Sequence, residues 1–229
     1  MLTFLPFSPH RMTTTLASAV LLAALTLAGC DASAPSAARR PSAMPSPTAT
    51  VAPRILYQAD FTQRASEWTL PPHWSIANGA LTDDGAGFNS ITIPYEITAQ
   101  AYSVNIQIRV SAINGSGYNN QYRIDGYTPA GKLLYTASVS SLNQQNHGFS
   151  QVFPAQPDPN NPGFGTYDFT PGVTSRAYNV QVDGRYINFV CGGSSLTTVT
   201  SALPLAPARI ELVDQSVRLT VESVTITTP

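Results

Sequence analysis

Hydrophobic and polar side chains alternate without a break along residues 102–110, YSVNIQIRV. One set of positions carries the apolar groups of Tyr102, Val104, Ile106, Ile108 and Val110. The positions between them carry Ser103, Asn105, Gln107 and Arg109. Successive side chains of a β-strand point to opposite faces of a sheet, so this period of two predicts a strand with one buried and one solvated face.

The same period of two predicts nine further strands. They span residues 55–61, 74–81, 91–93, 118–125, 133–139, 178–182, 186–191, 209–213 and 216–226. In the last of these, the apolar residues change from odd-numbered to even-numbered positions between Val221 and Val224, as a β-bulge would produce. Asn78-Gly79 and Asp183-Gly184 lie between strand patterns, which is typical of two-residue hairpin loops. No segment has a helical period, so ten short strands predict an all-β protein, an antiparallel β-sandwich.

The N-terminal residues have the features of a secretion signal. Residues 16–29, LASAVLLAALTLAG, form an uncharged apolar run that is too short to span a bilayer, and Arg11 precedes it. The run leads into Leu27-Ala28-Gly29-Cys30, which resembles the lipobox of bacterial lipoproteins. The resemblance implies that signal peptide 1–29 is removed and that the thiol of Cys30 receives a diacylglycerol. Acyl chains (palmitate) would then hold the protein at the extracytoplasmic face of the cell membrane. A plain signal peptide and an uncleaved anchor helix are the alternatives, and Met12 is a second candidate initiator.

Residues 31–53 contain little besides Ala, Ser, Pro and Thr. The segment has no apolar periodicity, and its prolines exclude a continuous helix. We therefore predict that residues 30–53 comprise the lipidated cysteine and a flexible linker, which would reach about 25 Å as a random coil. One β-sandwich domain is predicted to follow at residues 54–229.

Charge and cysteine content limit the classes of partner. The formal net charge is −1 and Lys132 is the only lysine, so the basic surface that nucleic-acid binding requires is missing and no such partner is expected. If Cys30 is lipidated, Cys191 has no cysteine with which to pair. Cys191 follows Ile187 and Phe189 at period two, which predicts a buried thiol on an apolar strand face. A reactive thiol is the alternative, but no basic neighbour in sequence supports it.

The order of the segments LYQADFTQ, HWSIANGAL, YSVNIQIRV, RAYNVQVDGRYINFV and ARIELVDQSVRLTVESVTI resembles a concanavalin A-like jelly roll. It is similar to the laminin-G-like domains and to the 3-keto-disaccharide hydrolase-like domains of secreted bacterial proteins. The resemblance implies a sandwich whose concave sheet and rim loops bind a sugar or another partner. The chain departs from the pattern at Cys191-Gly192-Gly193, where these families usually have a second Asp-Gly.

The sequence assigns no catalytic residue. The Glu-x-Asp-x-(x)-Glu strand of jelly-roll glucanases is absent, and adjacent Asp83 and Asp84 would point to opposite faces. His73 and His147 lack companions at the spacing of a catalytic triad or a metal site. The segment from Asp158 begins like a calcium loop, but proline and phenylalanine occupy ligand positions. We therefore expect no cofactor and no metal site at these residues, while the resemblance leaves a structural Ca²⁺ elsewhere open.

Polar residues on two strands are the candidate ligand-binding groups. They are Asn105, Gln107 and Arg109 on one strand and Asn119, Gln121 and Arg123 on the other. Amide and guanidinium groups hydrogen-bond sugar hydroxyls in fixed geometry, and we expect these six to share the concave face of two neighbouring strands. The aromatic-rich insertion at residues 142–174 would lie at the rim. The alternative is that these polar groups only cover the surface of a protein in which 11% of residues are charged.

These features predict a membrane-anchored lipoprotein that binds a glycan or another cell-envelope partner without catalysis. The alternative, implied by the resemblance, is a glycan-active hydrolase of the 3-keto-disaccharide hydrolase-like type. A purely structural adhesin is the third interpretation. Fold analogy alone does not choose among the three.

Overall fold

The computed structural model describes residues 52–115, 119–143, 148–156, 167–169, 174–192, 194–200 and 208–229. The chain divides into two units, residues 1–48 and 49–229, and the described residues all belong to the second unit. The predicted signal peptide and most of the predicted linker lie outside the described residues. Within the described ranges, no helix has the length and apolar character needed to cross a membrane.

Alternation of inward and outward side chains produces fourteen strands and one 3-10 helix, Ala65–Glu67, within the described ranges. The strands are β1 (Ile55–Ala59), β2 (Trp74–Ala77), β3 (Ala80–Asp83), β4 (Phe88–Ile97), β5 (Ala101–Ile113), β6 (Gln121–Tyr127), β7 (Leu133–Ser140), β8 (Gly148–Pro154), β9 (Tyr167–Phe169), β10 (Arg176–Asp183), β11 (Tyr186–Cys191), β12 (Ser194–Val199), β13 (Ala208–Gln215) and β14 (Val217–Thr227). The prediction of an all-β protein is confirmed.

The strands form two antiparallel sheets. Sheet A has eight strands in the order β12-β11-β10-β5-β14-β3-β2, and β1 also pairs with β14, so that Ile55 lies opposite Thr227. Sheet B has six strands in the order β4-β13-β6-β7-β8-β9. The inward residues of both sheets form one hydrophobic core, which is the arrangement of a β-sandwich.

The predicted buried faces of β5 and β11 are confirmed. The inward residues of β5 from Tyr102 to Val110 are at most 5% exposed. On β11, Ile187, Phe189 and Cys191 are at most 1% exposed. Burial of one such large apolar side chain contributes about 1.5–3 kcal/mol to folding, so strict alternation on these strands fixes their orientation.

The predicted strand at residues 74–81 consists of two strands. Asn78 and Gly79 join β2 to β3, and their φ angles are +53° and +74°. Positive φ at both central residues is what a type I′ hairpin turn requires. The bulge predicted in the last strand is confirmed by a register shift between Val221 and Ser223.

The aromatic-rich stretch at residues 142–174, which was predicted to lie at the rim, contains β8 and β9, the last two strands at one edge of sheet B. On β8, the polar residue Ser150 and the apolar residue Val152 face the core, whereas Phe149 and Phe153 face outward. Val152 follows the usual relation between apolarity and burial, but Ser150 and the two phenylalanines do not. The hydrophobic pattern therefore did not predict β8, and β9 and β12 were also missed.

Two tyrosine pairs join the sheets by hydrogen bonds across the core. The hydroxyl oxygens of Tyr102 and Tyr135 are 3.2 Å apart, and those of Tyr122 and Tyr178 are 2.6 Å apart. Gly126 makes room for the first pair, because a Cβ atom at this position would overlap the ring of Tyr135. The sandwich is therefore held together by specific polar bonds as well as by apolar packing.

Candidate functional site

The predicted ligand-binding residues lie on two surfaces rather than one. Asn105, Gln107 and Arg109 extend from β5 on the outer face of sheet A, whereas Gln121 and Arg123 extend from β6 on the outer face of sheet B, and Asn119 is exposed just before β6. The prediction of one face on neighbouring strands is wrong, because the chain passes from sheet A to sheet B between β5 and β6. Alternation identifies the outward side of a strand but not the sheet to which it belongs. That these residues bind a ligand stays a prediction.

Amide side chains on the outer face of sheet A hydrogen-bond one another. The amide nitrogen of Asn188 donates to Oε1 of Gln181 at 3.0 Å, and its oxygen accepts from the hydroxyl of Ser195 at 2.6 Å. Asn179 donates to the hydroxyl of Ser103 at 2.7 Å. These bonds hold the amide side chains in place, although Oδ1 of Asn179 is buried without a hydrogen-bond partner among the described residues.

Arg109 lies farther along sheet A, at a shallow pocket of about 380 Å³. Its Nε is 4.0 Å from Oε1 of Glu222, and the two side chains are 46% and 47% exposed. Thr82, Thr220 and the Asn78–Gly79 hairpin also line the pocket. An exposed ion pair of this kind contributes little to stability, so the guanidinium group is available to a ligand.

Strand register arranges the outer face of sheet B into rows. One row consists of Thr92 on β4, Glu211 on β13, Asp125 on β6, Thr136 on β7 and Phe153 on β8. The next row consists of Ser90, Val213, Arg123, Ser138 and Gln151 on the same five strands. Directly opposed residues of antiparallel strands have Cβ atoms about 5 Å apart. The carboxyl groups of Asp125 and Glu211 are therefore side by side on the outer face, on two inner strands of the sheet.

An arginine pairs with each of the two carboxylates. Nε of Arg123 donates to Oδ2 of Asp125 at 2.9 Å, and Nη2 of Arg209 donates to Oε1 of Glu211 at 2.9 Å. The hydroxyl of Tyr127 also donates to Oδ2 of Asp125, at 3.3 Å. The Asp125 side chain is 1% exposed and the Glu211 side chain is 17% exposed. The first carboxyl group is therefore covered by its neighbours, whereas the second reaches solvent.

The environment of Asp125 is unusual for a structural ion pair. Burial raises the pKa of this carboxyl above its ordinary value of 3.8, although the charge of Arg123 acts in the opposite direction. Its Oδ1 atom is buried without a hydrogen bond of good geometry among the described residues, although the neighbouring Thr136 side chain lowers the pKa by hydrogen bonding to the carboxyl group. Buried polar atoms are nearly always paired, and perturbed carboxyl groups are concentrated at functional sites. Asp125 is therefore the centre of the candidate site.

Exposed aromatic rings lie around this cluster. Phe88, Phe149 and Phe153 on β4 and β8 are 58%, 43% and 38% exposed. The guanidinium carbon of Arg123 lies 5.4 Å from the centre of the Phe88 ring. Apolar rings beside charged and hydroxyl groups offer a ligand both stacking surfaces and hydrogen bonds. We define the glycan face as the two register rows together with Phe88 and Phe149.

The sequence analysis missed Asp125, Glu211 and Arg209 as members of one site. The available signal was a repeated pattern, Arg-x-Asp at 123–125 and Arg-x-Glu at 209–211. Residues two apart on a strand share a face, so each pattern indicates an ion pair on one side of its strand. That the two strands are neighbours became known only from the structure.

The other sequence candidates do not join this cluster. Asp83 is buried and Asp84 is exposed, which confirms that they point apart. Nδ1 of His73 lies 3.0 Å from Oδ2 of Asp84, and both side chains are well exposed. His147 and the segment from Asp158 lie outside the described residues. Within the described ranges, no group of three or more His, Cys, Asp or Glu side chains is placed to hold a metal ion.

Comparison with known proteins gives a fold rather than a family. No family model and no curated protein matches the chain. Among solved structures, the CBM2 module of the evolved Dit of Lactobacillus casei BL23 phage J-1 has a TM-score of 0.55 at 9% identity, over 77% of this chain and 96% of that one. The endo-β-1,3-glucanase from Pyrococcus furiosus has a TM-score of 0.54 at 11% identity, over 77% and 94%. The carbohydrate recognition domain of Emp46p has a TM-score of 0.53 at 10% identity, over 73% and 91%.

These similarities confirm the predicted fold, a concanavalin A-like jelly-roll β-sandwich. The similar structures include carbohydrate-binding modules and glycan-active enzymes. At such low identity these similarities specify the fold alone. The fold is compatible with a non-catalytic glycan-binding module and with a glycan-active enzyme.

Proposed function

We propose that this protein binds a glycan on the outer face of sheet B. The observation that carries the proposal is the Asp125–Glu211 pair, with an arginine on each carboxylate and exposed rings at the margins. Carboxylate and guanidinium groups fix the orientation of sugar hydroxyls through paired hydrogen bonds. Phe149 and Phe153 provide apolar surfaces on which the faces of sugar rings can pack.

The size of the glycan face favours an oligosaccharide. The row from Thr92 to Phe153 crosses five strands, which corresponds to four interstrand spacings and about 19 Å. A single sugar ring would occupy only part of that length. The proposed ligand therefore lies across the strands and contacts several of them at once.

We also propose that the protein is a lipoprotein whose Cys30 carries the membrane anchor. The apolar segment ending at Gly29 and the lipobox-like sequence support this proposal. The linker would then give the sandwich access to glycans near the extracytoplasmic face of the cell membrane. A cell-envelope polysaccharide is the class of ligand that such a location favours.

A glycan array with matched arginine variants tests the binding site. Arg123→Lys keeps the charge but removes the planar fork, and we expect at least a tenfold loss of affinity for any glycan retained by the wild type, or about 1.4 kcal/mol. Arg109→Lys is the matched control on sheet A and should bind as the wild type does. Unchanged binding by Arg123→Lys would contradict the proposal, and a loss confined to Arg109→Lys would move the site to the pocket on sheet A.

The second candidate function is glycan hydrolysis, which the paired carboxyl groups favour. Glycosidases use two carboxyl groups, one protonated and one ionised. The raised pKa of Asp125, caused by burial, favours its protonated form, while Glu211 reaches solvent. Product analysis of each retained glycan separates the two functions. New products that disappear in Glu211→Gln support the enzyme, and retention without turnover supports the binding module.

A further inference from the structure

The shallow pocket on sheet A lies apart from the glycan face. Its volume of about 380 Å³ is within the range of small-molecule sites, about 300–1,000 Å³. Strand register places Thr82 on β3, Thr220 on β14 and Arg109 on β5 in one row across its floor. Glu222 and the Asn78–Gly79 hairpin line the rest of the pocket. The pocket is therefore a second concave surface, on the sheet opposite the glycan face.

The two charged groups of this pocket face each other without a hydrogen bond. Nε of Arg109 is 4.0 Å from Oε1 of Glu222, whereas a charged N–H···O bond is about 2.7–2.9 Å long. On sheet B, by contrast, Arg123 and Arg209 donate to their carboxylates at 2.9 Å. Among the residues that the structure describes, Arg109 donates no hydrogen bond. Both members of the open pair are nearly half exposed, so each keeps hydrogen-bonding capacity that a ligand can reach.

The wall beside this pair is already in place. Asn78 and Gly79 both have positive φ angles. The methyl group of Thr62 packs so closely on Gly79 that a Cβ atom there would be 2.8 Å from it. Thr62 is itself held by Oδ1 of Asp60, which accepts from its backbone N–H at 3.1 Å and from its hydroxyl at 2.9 Å. Because the hairpin is fixed before a ligand arrives, binding loses little conformational entropy there.

The floor of the pocket provides neutral hydrogen-bonding groups. The hydroxyl oxygens of Ser111 and Thr220 are 3.0 Å apart, so one donates to the other. Thr82 lies opposite Thr220 in the register. Since a hydroxyl group both donates and accepts, this floor favours a ligand with a polar, uncharged group.

The charges of the pocket define the class of ligand. The guanidinium group of Arg109 and the carboxylate of Glu222 sum to zero, so a simple anion would be repelled by one group and a simple cation by the other. A ligand with both charges satisfies both groups, provided that its own charges are about as close together. An amino and a carboxyl group on one carbon atom meet this condition.

We propose that the pocket binds a free α-amino acid, with its carboxylate on Arg109 and its ammonium group on Glu222. The hydroxyl groups of the floor then contact a polar side chain of the amino acid. The proposal does not depend on the proposed function. Because the pocket is separate from the glycan face, Arg109→Lys remains the control for glycan binding.

Titration of the full chain with glutamine and two blocked derivatives tests the proposal. Glutamine carries both charges, N-acetylglutamine lacks the ammonium group, and glutaminamide lacks the carboxylate. Each derivative leaves one charge of the pocket without its partner, so we expect it to bind about tenfold more weakly than glutamine, or weaker still. Chemical-shift changes of the Arg109 Nε–H and of the Gly79 backbone N–H in NMR spectra measure binding at this site.

Two variants separate the roles of the charged groups. Arg109→Gln should abolish the preference for glutamine over glutaminamide, and Glu222→Gln should abolish the preference over N-acetylglutamine. Arg54→Gln, at an exposed arginine before β1, is the matched control and should bind as the wild type does. If either pocket variant does not fold, the order of the three ligands with the wild type decides.

Equal binding of the three ligands by the wild type would overturn the proposal. It is also wrong if neither glutamine nor any other common amino acid changes the Arg109 and Gly79 resonances at millimolar concentration. A neutral glycan that changes these resonances when no amino acid does would show that the pocket is a sugar site instead.

Discussion

The hydroxyl group of Tyr102 on sheet A donates a hydrogen bond to the hydroxyl of Tyr135 on sheet B, with 3.2 Å between the oxygens. The two residues are 1% and 0% exposed, so no bulk water can replace either partner. Burial raises the pKa of both hydroxyl groups well above the usual tyrosine value. Both groups therefore stay protonated, and their bond persists throughout the physiological pH range.

Removal of one hydroxyl from this pair should destabilise the domain more than removal of both. Tyr102→Phe leaves the Tyr135 oxygen buried without its partner, which should lower the free energy of unfolding by about 1–3 kcal/mol. The double variant with Tyr135→Phe leaves no orphan group and should be closer to the wild type. Urea denaturation of the four proteins measures the coupling. Additive losses in the double variant would contradict this account.

The thiol of Cys191 should resist modification in the native protein. It is 0% exposed on the inward face of β11, and no other described residue is a cysteine. Cys30→Ser removes the other cysteine of the sequence, so a thiol reagent then reports on one site. We expect slow labelling without denaturant and complete labelling with it. Rapid native labelling would show that this edge of the core opens readily.

Asp125 should make the domain less stable as pH rises from the acid range. Because burial raises the folded-state pKa above 3.8, its stabilising contribution is complete below that value and is lost as pH rises through the raised pKa. Asp125→Asn should therefore flatten the fall in melting temperature as pH rises above about 4.

Asp84→Asn is the control for this pH dependence. A hydrogen bond with His73 lowers the pKa of Asp84, so its contribution is present at neutral pH and is lost on acidification. The two substitutions should change the pH profile in opposite directions. Equal pH profiles for Asp125→Asn and the wild type would show that the Asp125 pKa is not raised.

Substitution of the proposed lipidation site should release the protein from the membrane. We expect the wild type to remain in the membrane fraction after a salt wash and Cys30→Ser to appear in the soluble fraction. The reason is that the predicted linker has no apolar segment of its own to replace the acyl chains. Full retention of Cys30→Ser would contradict the anchor assignment.

Strands whose inward-facing residues are all apolar were predictable from the sequence, and β8 was not. On β5 and β11, every inward residue is apolar, so alternation and burial coincide. On β8, Ser150 and Val152 face the core while Phe149 and Phe153 face outward. Only Val152 of these four residues follows the usual relation, so the hydrophobic pattern of β8 does not identify its inward side.

The composition of the candidate site was only partly predictable. Arg123 was recognised because its strand alternates clearly, but its partners depend on which strands are neighbours. Asp125 and Glu211 lie far apart in sequence and are opposed only through the register of β6 and β13. Arg109 has the same local pattern as Arg123 and belongs to the other sheet. Local periodicity predicts to which side of its strand a side chain points. The sheet and the neighbours of that strand depend on the packing of the whole domain.

The pairing of β1 with β14 determines where mechanical tension would enter the domain. The backbone N–H of Thr228 donates to the oxygen of Arg54 at 2.9 Å, directly before the first register pair, Ile55 with Thr227. A pull transmitted through the proposed linker would load these bonds first. A glycan held on the opposite sheet would load sheet B instead, so the pull between membrane and ligand must cross the core. The tyrosine bonds between the sheets lie along that path.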